Sequence, residues 1–396
     1  MASFHLPKLS MNDFKRTGSL LAYATNLAFA VMSVAGLLWT LYTWIWADIE
    51  GQCTLCAYLW QGINPYLPVS ADVQQAHGLP EVPQGFGTSP WGLILGQLFY
   101  PGFLSLATAK VYFIALYIAG YLFTAFYAAR NSDYPIQQTL LFCLLASISY
   151  FTPMSHGNAG GLFCLLLLWA LYLSEKSPVL AGVCLSLALI KPQASLLFCL
   201  YFILRKQYRT LFIAAVIDLT AWGLAAIILK ESPWQLLADF FACDIGASGG
   251  PNSTLQLEAF KGILTLAADR IPHAMYVSMI LGTAYALAFY YINKNKGYLQ
   301  RIAPFCVATA FWSYTFGNEM FICFPVVLLA YQNMTQCSQL AWIRWAFVVP
   351  YVAFSNIILD FMPSFIFHYT GCMPSFHLIM TIYLAGLIAC MYKYSP

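Results

Sequence analysis

Charge is what this chain has least of. Asp, Glu, Lys and Arg together make up 8% of its 396 residues, against roughly a quarter in soluble domains. So little polar material cannot cover the surface of a soluble globule, which excludes that class. A net charge of only +3, with no basic stripe and interleaved aromatics, gives no footing for nucleic acid. No acidic pair or Cys/His group stands at metal-ligand spacing, so neither a metal nor a cofactor is expected. Short alternating strands are missing too, which excludes a membrane barrel. Neither a direct nor an inverted repeat recommends a transporter architecture.

What the chain does have is apolar length. Hydrophobic residues are 61% and aromatics 17%, and the mean hydropathy is +0.69. The apolar runs are long and continuous, so the expected fold class is an all-α polytopic integral membrane protein, one domain over residues 1–396. Candidate spans cover about 19–46, 107–129, 137–154, 158–174, 177–190, 192–204, 210–229, 273–293, 302–317, 319–332, 341–361 and 376–393. Segment 90–105 is apolar but broken by Gly92, Gly96, Pro101 and Gly102. Two loops are long, 47–89 and 231–272, and both mix apolar with polar residues, as in Tyr58-Leu59-Trp60 and in Trp234 through Phe241. They read as interfacial amphipathic helices.

Basic residues orient the spans. Lys8, Lys15 and Arg16 precede the first apolar run, which is too long for a signal peptide and reads as a span with a cytoplasmic flank. Arg205, Lys206 and Arg209 crowd one turn, Lys294, Lys296 and Arg301 another, with Lys176, Arg344 and Lys393 at further ends. With all of these inside, both long loops fall outside, provided that segment 90–105 is re-entrant. Of the twelve cysteines, most sit in apolar runs as small hydrophobes. Cys53 and Cys56 form a C-x-x-C in the first long loop, to be read as two unpaired thiols or as a redox pair.

Costly polar groups then gather on the outer side. They are Asp48, Glu50, His156, Asn158, Lys191, Asn252, Arg270, His273, Asn318, Glu319, Asp360 and His368. Acid, imidazole and ammonium together can act as general base and hold an anion. Asp48 follows the first span directly, where a carboxylate is costly without a task or a partner; it also fits an interfacial acid that marks a helix end. Lys191 precedes the helix-breaking Pro192, against the positive-inside bias, and reads as an anion ligand or as a snorkelling side chain. His156 suits a turn as well as a site. Glu319 also suits a helix N-terminus.

Several stretches, in order, resemble glycosyltransferase family 87, within the GT-C superfamily of membrane glycosyltransferases. These are Asp48, then Gly62-Ile63-Asn64-Pro65-Tyr66, then Ser89-Pro90-Trp91 through Tyr100-Pro101, then His156-Gly157-Asn158. Leu180 through Pro192 follows, ending in Ile190-Lys191-Pro192, then Arg205-Lys206-Gln207-Tyr208 and Asn252-Ser253-Thr254-Leu255. One stretch departs: Asn318 and Glu319 stand where family members carry a pair of histidines. The resemblance implies a GT-C-like bundle of about 11–13 spans. It implies transfer of a mannose-like sugar from a polyprenyl-phosphate donor to a lipid or glycan acceptor at the outer face, among membrane lipids, with no metal ion required and with a bacterial inner membrane as the setting. Asp48 would be the base of an inverting displacement. Glu50, Asn64, Tyr66, His156, Asn158, Lys191, Asn252, Arg270, Asn318 and Glu319 would contact the substrates. A lipid or solute transporter is the alternative; it should carry its polar groups at the midplane rather than at one surface.

Overall fold

The computed structural model describes residues 47–78, 88–131, 157–249, 274–312 and 321–326, with scattered positions at 34, 143, 146, 147, 150, 151, 153, 154, 328 and 329. Among the described residues every regular element is helical. The first expected span apart from position 34, the expected spans 341–361 and 376–393, and Asn252, Arg270, His273, His156, Asn318, Glu319, Asp360 and His368 lie outside them.

The chain divides into two compact units. The one that carries Asp48 covers residues 45–118 and 154–260. Its helices are α1 (Ala47–Trp60), α2 (Ala71–His77), α3 (Gly92–Leu95, continued by a 3-10 turn over Gly96–Leu98) and the first half of α4 (Leu106–Asn131). Then come α5 (Gly160–Leu173), α6 (Pro178–Leu189), α7 (Pro192–Leu204), α8 (Tyr208–Leu229) and α9 (Pro233–Gly249). The other unit holds the end of α4 with α10 (Ala274–Asn293) and α11 (Tyr298–Trp312), a helical hairpin in which Tyr290 meets Phe305 edge to face.

Among the described residues two helices, α4 and α8, are long and apolar enough to cross a membrane. The bounds of α4 to α8 and of α10 fall within a few residues of the apolar runs in the sequence. Segment 90–105, by contrast, holds only a four-residue helix and one 3-10 turn, too short to cross. It folds down onto α1. Gly102 makes that possible: a Cβ there would stand 2.4 Å from the backbone of Cys56 and Ala57.

Helix α1 corrects one expectation. It is not a half-wet interfacial helix, because Ile49, Cys53, Leu55, Cys56, Tyr58 and Leu59 are all buried and, among its described side chains, only Glu50 and Trp60 are exposed. Its apolar residues are spread round the axis rather than along one stripe, and a helix of that pattern must be covered on most sides. Leu55 and Leu59 pack with Leu93, Ala225, Leu229, Leu236 and Phe240 in a core shared by α1, α3, α8 and α9. Helix α9 does carry two faces: Leu236 and Phe240 are buried, while Trp234 and Phe241 are exposed.

Charge marks the two ends of the central helices. The α5–α6 and α7–α8 turns meet through Arg205 and Glu175, 2.7 Å apart. Helix α5 starts beside Asn158 and α7 starts beside Lys191, at the far ends from that ion pair.

Candidate active site

The start of α5 builds the first half of the site. Four amides at a helix N-terminus lack intrahelical acceptors, and here the neighbours supply them. Asn158 Oδ1 accepts from Gly160 N at 2.8 Å, the Tyr100 hydroxyl from Ala159 N at 2.6 Å, and the Tyr117 hydroxyl from Gly161 N at 3.0 Å. Tyr117 in turn donates to Asn158 O at 2.7 Å. Phe113 stacks on Tyr100 and tilts onto Tyr117, so both hydroxyls rest on a buried aromatic column. Burial pushes the Tyr100 phenol well above its ordinary range, so it stays a neutral hydroxyl. Gly157 supplies the turn before them. Its φ is +74°, and a Cβ would meet Ile49 of α1 at 2.8 Å. Only glycine combines that conformation with that approach.

The break between α6 and α7 builds the second half. Pro192 brings no amide, so the last carbonyls of α6 need other donors. Ser195 Oγ shares its one proton between Ala188 O at 2.9 Å and Lys191 O at 3.0 Å, while Trp91 Nε1 donates to Leu189 O at 2.9 Å and Ser89 Oγ to Ile190 O at 3.1 Å. Those bonds fix the backbone of Lys191 at the head of α7.

The halves meet at Asn158. Its Nδ2 donates to Asp48 Oδ2 at 2.7 Å, and its Oδ1 accepts from Lys191 Nζ at 3.1 Å. A single amide thus holds a carboxylate on one side and an ammonium on the other. All three residues are half-buried. A cavity of about 30 Å³ opens against this group, lined by Gln52, Cys56, Thr88, Tyr100, Asn158 and Lys191 among others. It has room for one or two water-sized polar groups. A hydroxyl or a phosphate oxygen fits there.

Other expected site residues sit apart from the cavity. Glu50 pairs with Lys110 of α4 at 2.7 Å, an exposed contact of little energetic weight. Asn64 is tied up in a knot between the two long loops: Nδ2 donates to Glu231 Oε2 at 2.8 Å and Asp239 Oδ2 at 2.9 Å, while Oδ1 accepts from Tyr66 N at 3.0 Å. Pro65 thereby stands inside an Asx turn. The Tyr66 hydroxyl donates to Thr88 O at 2.5 Å, and Thr88 Oγ1 donates to Gln52 Oε1. The Asn-Pro-Tyr turn therefore reaches the cavity through Thr88. Cys53 and Cys56 are free and buried, and burial pushes the Cys53 thiol up to about 12. Among the described residues no cluster of His, Cys, Asp and Glu could hold a metal.

Reading the sequence missed Gln52, Thr88 and Tyr117, and marked Tyr100 only as part of the Ser89–Pro101 stretch, without a place in the site. Gln52 had a signal: it stands one helical turn after Asp48, on the same face. Tyr117 had none, being lost among 26 tyrosines.

The family model of glycosyltransferase family 87 matches residues 92–313, more than half of the chain. Tyr100, Asn158 and Lys191 lie inside that stretch, whereas Asp48 and Gln52 precede it. No curated protein and no solved structure matches the chain.

Proposed function

Because the chain belongs to glycosyltransferase family 87, we propose that this glycosyltransferase moves a mannose-like sugar from a polyprenyl-phosphate donor to an acceptor hydroxyl of a lipid or glycan. The reading takes the protein as a polytopic membrane bundle of the GT-C kind, working at the outer face of a bacterial inner membrane. One observation carries it: Asp48 and Lys191 flank the same Asn158 amide, and Asn158 and Lys191 line a cavity of hydroxyl size.

The chemistry needs those two charges close together and opposite in sign. The acceptor oxygen forms a bond to the anomeric carbon as the bond from that carbon to the phosphate oxygen breaks. The acceptor proton passes to the Asp48 carboxylate, and the polyprenyl phosphate leaves with the electron pair. A single displacement inverts the anomeric configuration. Negative charge grows on the leaving phosphate, and the Lys191 ammonium offsets it in a site with little competing water. Asn158 keeps the pair from collapsing into a direct ion pair, with its amide N–H on the acid and its carbonyl on the ammonium.

The test is transfer by the purified protein across a panel of polyprenyl-phosphate sugars, wild type beside Asp48→Asn. Product from the wild type alone supports both donor class and base. Product from both moves the base elsewhere. Passage of the lipid without a new glycosidic bond would sink the enzymatic reading.

A further inference from the structure

Gln52 belongs to the same cavity but has no part in the chemistry so far. It lies one turn after Asp48 on α1, and its side chain lines the cavity together with Asn158 and Lys191. Thr88 Oγ1 donates to Gln52 Oε1 and so anchors the carbonyl end of the amide. Thr88 is itself buried and held from behind, since its carbonyl accepts from the Tyr66 hydroxyl at 2.5 Å. The opposite end, Nε2, carries two N–H donors. Among the described residues none of them finds an acceptor, and Nε2 is not a buried orphan either. A donor with its orientation fixed and no partner among the described residues, in a cavity of water size that also receives an ammonium, is half of an anion-oxygen site.

We propose that Gln52 Nε2 donates to a non-bridging oxygen of the donor's phosphate, opposite Lys191. The inference rests on the polyprenyl-phosphate reading given above and adds a residue to it. Lysine supplies charge without direction; an anchored primary amide supplies direction without charge. Together they orient the phosphate so that its bridging oxygen leaves along the line of attack. The Asn-Pro-Tyr turn gains a role by the same route, because Asn64 sets Tyr66, Tyr66 sets Thr88, and Thr88 sets the Gln52 amide.

The experiment is equilibrium binding of a short-chain polyprenyl monophosphate to the full chain in detergent, with the matching polyprenol as the uncharged control. Wild type should prefer the phosphate, and Gln52→Glu should weaken phosphate binding about 10-fold or more, because a donor becomes a repelling acceptor. Gln52→Ala and Thr88→Val should each weaken it by roughly 3- to 10-fold. Unchanged thermal unfolding of each variant separates a lost contact from a lost fold. Phosphate binding equal to wild type in both Gln52 variants overturns the assignment and leaves the donor reading intact. Wild type that binds the alcohol as well as the phosphate overturns the donor reading itself. Equal displacement of the probe by a diacyl phosphatidic acid overturns the assignment in favour of a headgroup site.

Discussion

Asn158 Nδ2 stands 2.7 Å from Asp48 Oδ2, across 110 positions of chain. Asp48 closes no helix of its own with that contact; it is held by a residue that caps α5. A carboxylate that serves only as an end marker has no use for a partner so distant in sequence. If it is the base, Asp48→Asn should lower transfer by about 10²- to 10⁴-fold, the range of a single general base, with thermal unfolding unchanged. Turnover within a few-fold of wild type would remove Asp48 from the chemistry.

The bridging amide makes its own prediction. Asn158→Asp puts a second carboxylate beside the first, and two carboxylates sharing a site resist ionising together. Transfer should fall, and the acidic limb of the rate–pH profile should move to higher pH. Asn158→Ala removes the bridge without adding charge, so it should lower the rate and leave that limb closer to its wild-type position. Superimposable profiles for the two variants would refute the bridge.

Gly157 has a φ of +74° and stands against Ile49. Gly157→Ala should cost about 1–3 kcal/mol through the left-handed backbone alone, plus the clash. Thermal unfolding in detergent reads it. An unfolding temperature equal to wild type would mean that α1 lies elsewhere.

The knot at Asn64 joins two carboxylates through one amide. Asn64→Ala leaves both without that donor and should destabilise by about 1–3 kcal/mol. Asn64→Asp keeps the Asx turn but gathers three carboxylates, and should be worse at neutral pH. Their repulsion raises the folded-state affinity for protons above that of the unfolded chain, so stability should return as pH falls. Chemical denaturation at pH 7 and pH 5 tests the sign.

The C-x-x-C thiols should be inert. Burial moves Cys53 from 9.0 to about 12, which cuts its thiolate fraction near neutrality by about 10³-fold. A water-soluble maleimide at pH 7.5 should label neither Cys53 nor Cys56 until the chain is denatured. The unfolded thiol ionises first, so this burial starts to cost stability above about pH 9, and the cost grows until the folded value is reached and stays constant beyond it. Rapid labelling of the native protein would contradict the packing of α1.

The helices were legible because long apolar runs admit only helices in such a chain; α6 and α7 even part at the proline that forbids continuation. Asp48 and Lys191 were legible because isolated charges stand out where charge is scarce. Asn158 was legible only beside its glycines. The hydroxyls were not: Ser89, Ser195, Tyr100 and Tyr117 satisfy backbone groups at helix ends, a task that depends on which ends meet in space. Asn64 and Tyr66 stood out through their turn, yet their partners Glu231, Asp239 and Thr88 come from positions that no spacing connects. The even spread of apolar residues in α1 was visible, but the sheath around it was not.

Helices α6 and α7 have 12 and 13 residues, which at about 1.5 Å per residue gives lengths of roughly 18 and 20 Å. A bilayer core is about 30 Å thick. A chain that sits in such a bilayer carries Lys191 on supports too short for it, and the mismatch must be met by thinning of the surrounding lipid or by sinking of the lysine beneath the headgroups. Either way, on the proposed polyprenyl-phosphate donor, the phosphate would be drawn toward the hydrocarbon, where acyl-chain length would become a determinant of rate.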